Sequence, residues 1–177
     1  MAKIKLTNVR ASYAHVFTKH SINGGEPQFS IAILINKNDT ENLNKIKAAI
    51  EIAKTEGMVK WGGKVPKNLK TPLRDGDIEH PDNPDYIGHY WINANSKSQQ
   101  PQIVDRKMRI LTDPDDFYSG CYMNITLGVY PFAASGNNGI AIGLNNIQKV
   151  KDGPRLDGKS TANDDFDEFE DENDFID

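Results

Sequence analysis

Apolar positions in this chain recur mostly every second residue, the period of a strand with one face buried. The opening segment Lys3–Phe17 places Ile4 and Leu6 in one phase and Val9, Ala11 and Tyr13 in the other. A bulge near Thr7–Asn8 would reconcile the two phases. His15 to Pro27 reads as a polar turn tipped by Asn23-Gly24-Gly25. Gln28–Asn36 alternates most cleanly, with Phe29, Ile31, Ile33 and Ile35 towards a core and Gln28, Ser30 and Ala32 away from it. Further strands are expected over Ile103–Leu111, Ser119–Phe132 and Gly139–Val150. In Ser119–Phe132, Cys121, Met123, Ile125, Leu127 and Val129 form an apolar face. Tyr122, Asn124, Thr126, Gly128, Tyr130 and Phe132 form the opposite face. Three aromatics on a polar face suggest stacking platforms or a second covering layer.

One stretch carries a helical period instead. Thr40–Glu56 has an apolar stripe of Leu43, Ile46, Ile50 and Ala53, with Asp39 or Thr40 as cap and Gly57 as stop. It reads as a packing helix. Between helix and later strands lies Thr71–Asp105. Its first half is crowded with Pro, Gly, Asp and Asn, which excludes a helix or a central strand. Its second half, Gly88–Asn95, reads as a strand with Tyr90, Ile92 and Ala94 on one side and His89, Trp91, Asn93 and Asn95 on the other. Asn is an uncommon neighbour for a core Trp, so Trp91 reads as a stacking position.

Charge changes the picture because it is segregated. The net charge is −4, yet nine acidic and no basic residues fall between Ala162 and Asp177. The remainder carries 16 acidic against 21 basic residues, a body of about +5. Met58–Arg74 gathers Lys60, Lys64, Lys67, Lys70 and Arg74 around Trp61. A basic loop with a Trp suits a nucleic-acid backbone with a base to stack; a Trp anchored in the core with solvated lysines is the alternative. The single cysteine, Cys121, excludes an intramolecular disulfide or a cysteine-built zinc site. No signal peptide or membrane span is expected.

Catalytic and metal templates fit poorly. An EF-hand loop starting at Asp75 would need Gly and Glu where His80 and Tyr86 stand. Pro84-Asp85 followed by Asp105-Arg106-Lys107 imitates a metal-dependent nuclease, with Asp85 and Asp105 as ligands and Lys107 assisting water, but the motif is short. No hydrolase triad or phosphate loop is legible, and no cofactor or metal is expected.

Several segments together carry a resemblance: Lys60–Pro66 (KWGGKVP), Pro72–Asp77 (PLRDGD), Tyr86–Lys97 (YIGHYWINANSK), Pro101–Asp105 (PQIVD), Tyr118–Tyr122 (YSGCY) and Gly139–Leu156 (GIAIGLNNIQKVKDGPRL). In this order they resemble the bacteriophage single-stranded DNA-binding proteins with an OB-fold, long catalogued as a domain of unknown function. The resemblance implies an OB-type barrel, binding of single-stranded DNA without catalysis, and a phage replication or recombination setting in a host cytoplasm. The helix here follows the second strand rather than the third, so a variant barrel is expected.

The expected organisation is therefore mainly β. An OB-fold-like antiparallel barrel with one packing helix occupies residues 1–150, a flexible linker 151–163, and a disordered acidic tail 164–177. Lys60, Lys64, Lys67, Lys70, Arg74, Lys97, Arg106 and Lys107 are the candidate phosphate contacts. Trp61, Trp91, Tyr122, Tyr130 and Phe132 are the candidate stacking residues. The tail end, Asp174, Phe175, Ile176 and Asp177, resembles the partner-recruiting termini of such proteins. Single-stranded DNA, duplex DNA, replication or recombination proteins and a second copy of the chain are the candidate partners.

Overall fold

A strand long enough to pair along both edges organises the computed structural model, which describes residues 1–21, 23–134, 136–158 and 165–169. This is β1, Ala2–His20, antiparallel to β2 (Gln28–Asn36) and to β6 (Tyr122–Ala134). The helix α1 (Thr40–Gly57) follows β2. Then come β3 (Arg74–Asp75), the short α2 (Gly76–Glu79), β4 (His89–Ser96), β5 (Ile103–Val104) and, after β6, β7 (Asn137–Lys151). The sheet runs β3-β4-β2-β1-β6-β7-β5, and a parallel contact between Asn95 of β4 and Gly143 of β7 closes it. The closed circuit β1-β2-β4-β7-β6 is the five-stranded barrel of an OB-fold, with its helix displaced to the connection after the second strand.

The interior follows the period-two pattern. Leu6, Val9 and Ala11 of β1, Ile31, Ile33 and Ile35 of β2, Ile92 and Ala94 of β4, and Met123, Ile125, Leu127 and Val129 of β6 share one core. Leu43, Ile46, Ile50 and Ala53 of α1 join them. The Asp39 side chain caps α1 by accepting from the Asn42 N–H. Gly57 does not stop the helix through a left-handed turn. Its missing Cβ instead makes room for the Trp61 ring, which would lie 2.5 Å from such an atom.

The phase slip in β1 is real. Its register against β6 shifts between Leu6 and Val9, and Asn8 has φ +53°. Asn42 of α1 braces this bulge. Its Oδ1 accepts from the Thr7 N–H at 3.1 Å and its Nδ2 donates to the Thr7 carbonyl at 2.8 Å.

Three expectations change. β5 is shorter than the expected Ile103–Leu111, because the Asp105 carboxylate accepts the N–H groups of Lys107 and Arg109 and turns the chain. Ser30 and Ala32 of β2 are buried rather than exposed, because an outer layer covers that face. The start of the expected linker is docked: Arg10 donates to the Pro154 carbonyl at 2.8 Å, Leu156 N–H donates to Ser119, and Leu156 packs on a second apolar cluster of Leu34, Tyr86 and Trp91. The tail end, Asp174–Asp177, lies outside the described residues. Phe166 and Phe169 are exposed.

Asn42→Ala removes both bonds to Thr7 and leaves its backbone groups short of partners. The substitution is expected to cost about 1–3 kcal/mol in urea unfolding, with an unchanged denaturant slope.

Candidate nucleic-acid interface

The carboxylate-rich stretch builds a roof rather than a metal centre. Lys37 pairs with Asp75 at 2.8 Å and Asp77 at 2.6 Å. Asp77 also accepts the Gly88 N–H at 2.9 Å, and Arg74 pairs with Glu79 at 2.7 Å. The Lys37 ammonium and the Gly88 N–H hold the Asp77 carboxyl below its ordinary value, and the two carboxylates push the Lys37 ammonium well above its own. Among the described residues no group of His, Cys, Asp and Glu could hold a metal ion.

The roof lies on the outer face of β4. Tyr86 and His80 meet the Trp91 ring at centroid distances of 5.9 and 5.2 Å, and the Arg74 guanidinium sits 4.9 Å over it. Trp91 is therefore on the expected side of its strand but only 7% exposed, and its Nε1 has no hydrogen-bond partner among the described residues. Tyr86 hydroxyl meets Ser12 Oγ at 3.0 Å, and burial pushes its phenol up to about 12.

Beside the roof, concave surface runs across the barrel. One cavity of about 590 Å³ is lined by Arg74, Lys97, Tyr130 and Phe132, with Asn93 and Asn95 at its edge. A second of about 320 Å³ shares Asn93 and Asn95 and adds Tyr13, His15, His20, His80, Tyr86 and Trp91. A third of about 600 Å³ shares Tyr13 and His15 and reaches Tyr118 and Arg155. Through these shared lining residues the three adjoin one another, and they are taken together as one groove. Phe132 is held over Gly139, where a Cβ would lie 2.7 Å from its ring. Tyr13 stands at φ +44° and is 59% exposed, at a second irregularity of β1 between Ser12 and His15. A bulge that re-aims a side chain is a common device next to binding sites.

Of the candidates, Arg74, Lys97, Tyr130 and Phe132 come together in this groove. Trp61 is half-buried against the core. Its Nε1 donates to the Phe132 carbonyl at 3.0 Å, so it buttresses the β6–β7 hairpin, and Lys60 Nζ donates to the Pro131 carbonyl beside it. Lys64, Lys67 and Lys70 are exposed on the same loop, and Lys70 bridges Gly139 in the hairpin. Tyr122 lies elsewhere, between Arg10 and Lys151 at 5.5 and 4.6 Å. Arg106 and Lys107 sit in the Asp105 turn and line none of the three cavities. The nuclease arrangement fails at Asp105. Its carboxylate is used by the backbone of Arg109 and Lys107 and by the Arg109 guanidinium, which hold it below its ordinary value. Tyr13, His15 and His20 were not among the candidates. Their signal is a second phase slip in β1, which a single bulge at Thr7–Asn8 leaves unexplained.

A family model described as the Enterobacter phage Enc34 ssDNA-binding protein matches residues 2–176. Protein p50 of Acyrthosiphon pisum secondary endosymbiont phage 1 is 33% identical over 180 residues, covering 96% of this chain and 93% of that protein. The structure of the single-stranded DNA-binding protein from bacteriophage Enc34 in complex with ssDNA superposes with a TM-score of 0.77 at 25% identity, over 87% of this chain and 89% of the other. The fold is shared with gp2.5, a single-stranded DNA binding protein encoded by bacteriophage T7, at a TM-score of 0.59 and 13% identity over 91% of this chain and 98% of the other.

The roof has a pH signature. The Asp77 carboxyl is depressed, so its contribution is complete above the ordinary carboxylate range near pH 4 and is lost as pH falls through its lower folded value. Gly88 amide exchange should stay protected down to about pH 4. Lys37→Met should raise the Asp77 value and speed that exchange at neutral pH.

Proposed function

The chain belongs to the family of the Enc34 phage ssDNA-binding protein, and we propose that it coats single-stranded DNA by seating the strand in the groove from Phe132 to Tyr13. It is a single-stranded DNA-binding protein and not an enzyme. The observation that carries the path is the convergence of Arg74 and Lys97 with Tyr130 and Phe132 in one cavity, from separate parts of the sequence. Cations that follow a phosphate backbone, with rings that accept any base, give binding with little sequence preference. Tyr13 extends the stacking surface where the second and third cavities meet. Lys64, Lys67 and Lys70 flank the β6–β7 hairpin and add longer-range attraction. Trp61 and Trp91 act behind the surface, by holding the hairpin and the roof.

The setting is phage DNA replication or recombination in the host cytoplasm. Among the described residues no helix is long and apolar enough to cross a membrane. The acidic tail through Asp174, Phe175, Ile176 and Asp177 serves as the recruiting segment for replication proteins. Its nine carboxylates also oppose DNA at the basic body.

Fluorescence anisotropy with a labelled oligo-dT tests the path. Tyr130→Ala, Phe132→Ala and Tyr13→Ala should each weaken binding by about 1–3 kcal/mol without loss of fold. Arg74→Ala and Lys97→Ala should each lower the slope of log K against log salt by about 0.7. Arg106→Ala with Lys107→Ala should leave both quantities unchanged, and a drop on that pair alone would move the path to the β5 turn. Cleavage of DNA in Mg²⁺ that Asp105→Ala abolishes would restore the nuclease reading.

A further inference from the structure

Three of the chain's four histidines line one cavity in the middle of the groove: His15 and His20 from β1 and His80 from the roof. His15 and His20 are stacked, with ring centroids 4.0 Å apart and planes 8° from parallel. Among the described residues no Lys or Arg lines this cavity, although cations line the cavities on both sides, Arg74 and Lys97 on one and Arg155 on the other. A nucleic-acid strand crossing the groove therefore meets a stretch whose described lining carries imidazole as its basic group.

Resting on the DNA reading above, we infer that the His15–His20 pair is a phosphate-binding subsite for single-stranded DNA that takes up protons as the strand binds. Two stacked imidazolium ions would repel one another at this distance, so the charged pair calls for an anion beside it. In the free protein, burial and the neighbouring His20 hold His15 below its ordinary value. A backbone phosphate reverses that balance. It favours the charged rings, and by linkage the charged rings favour the phosphate.

Among the described residues, the groups around the pair are neutral or engaged elsewhere. β2 contributes Ser30, β4 contributes Asn93 and Asn95, and the roof contributes His80 and Tyr86. Tyr86 stays neutral through this range because burial raises its phenol. On β1, Lys19 lies over the Phe29 ring at 5.7 Å. Across the third cavity His15 faces Asp115, Asp157 and Arg155, and the Arg155 guanidinium pairs with the two carboxylates at 3.8 and 3.3 Å. Arg74 stacks on Trp91 and pairs with Glu79.

Groups whose values rise on binding make affinity increase as pH falls through the window between bound and free values, which for histidine spans about pH 5 to 8. The test is the affinity of the full-length protein for oligo-dT at constant ionic strength at about pH 8 and about pH 5.5, where thymine does not titrate. Wild type should tighten about tenfold, the factor supplied when strand binding raises one imidazole's titration midpoint by about one pH unit. The His15→Gln/His20→Gln double variant should change by less than about twofold while still binding oligo-dT. The acidic tail is common to both proteins and cancels in the comparison. A flat wild-type profile, or a double variant that follows wild type, overturns the inference. An NMR titration of the imidazole Hε1 signals in wild type guards against a misfolded variant: midpoints should rise by about one pH unit with oligo-dT bound, and unchanged or lowered midpoints also overturn the inference. Failure of wild type to bind oligo-dT at any pH would overturn the DNA reading itself.

Discussion

Closure of the barrel rests on one strand serving two neighbours. β1 is 19 residues long and pairs with β2 along one part and β6 along another. A flat strand cannot follow a small barrel around its circumference, so β1 must bend, and each bend requires an extra residue that slips the side-chain phase. The first slip, at Leu6–Val9, is braced from α1 by Asn42. The second, at Ser12–His15, puts Tyr13 into solvent with a left-handed backbone and turns His15 into the groove. The same requirement that closes the core thus shapes the surface.

Electrostatics sort the rest. Asp75 and Asp77 pair with Lys37, and Glu79 with Arg74, and these pairs hold the roof together. This leaves the groove with cationic side chains at its hairpin end, including Lys97, and with titratable rings at its centre. Surface ion pairs of this kind add little to global stability. Their effect is positional, because they fix the loop that buries Trp91 and thereby define one wall of the groove.

Much of the fold was legible. β2 appears with the expected ends, and the faces of β4 and β6 divide as the alternation of Ile92, Ala94, Met123 and Ile125 requires. The first β1 bulge could be read from the clash of two phases. Exposure was harder. Trp91 occupies the outward face, but Tyr86, His80 and Arg74 cover it from the preceding loop, and no local pattern reports that layer. Trp61 was similarly ambiguous, because the missing Cβ of Gly57 that accommodates it matters only once helix and loop are packed. Composition gathered the basic residues as one set, yet only topology separates Arg74 and Lys97 in the groove from Arg106 and Lys107 on the β5 turn. Docking of Leu156 was hidden because Gly153 and Pro154 look like linker residues.

The path of the strand across the barrel is the claim on which the rest turns. Ultraviolet cross-linking of oligo-dT to the full-length protein, with the modified peptides sequenced by mass spectrometry, tests it most directly. Adducts are expected at Tyr13, Tyr130 and Phe132, marking separate cavities of the groove on the same oligonucleotide. Adducts confined to Tyr122, or to peptides around Arg106 and Lys107, would contradict it.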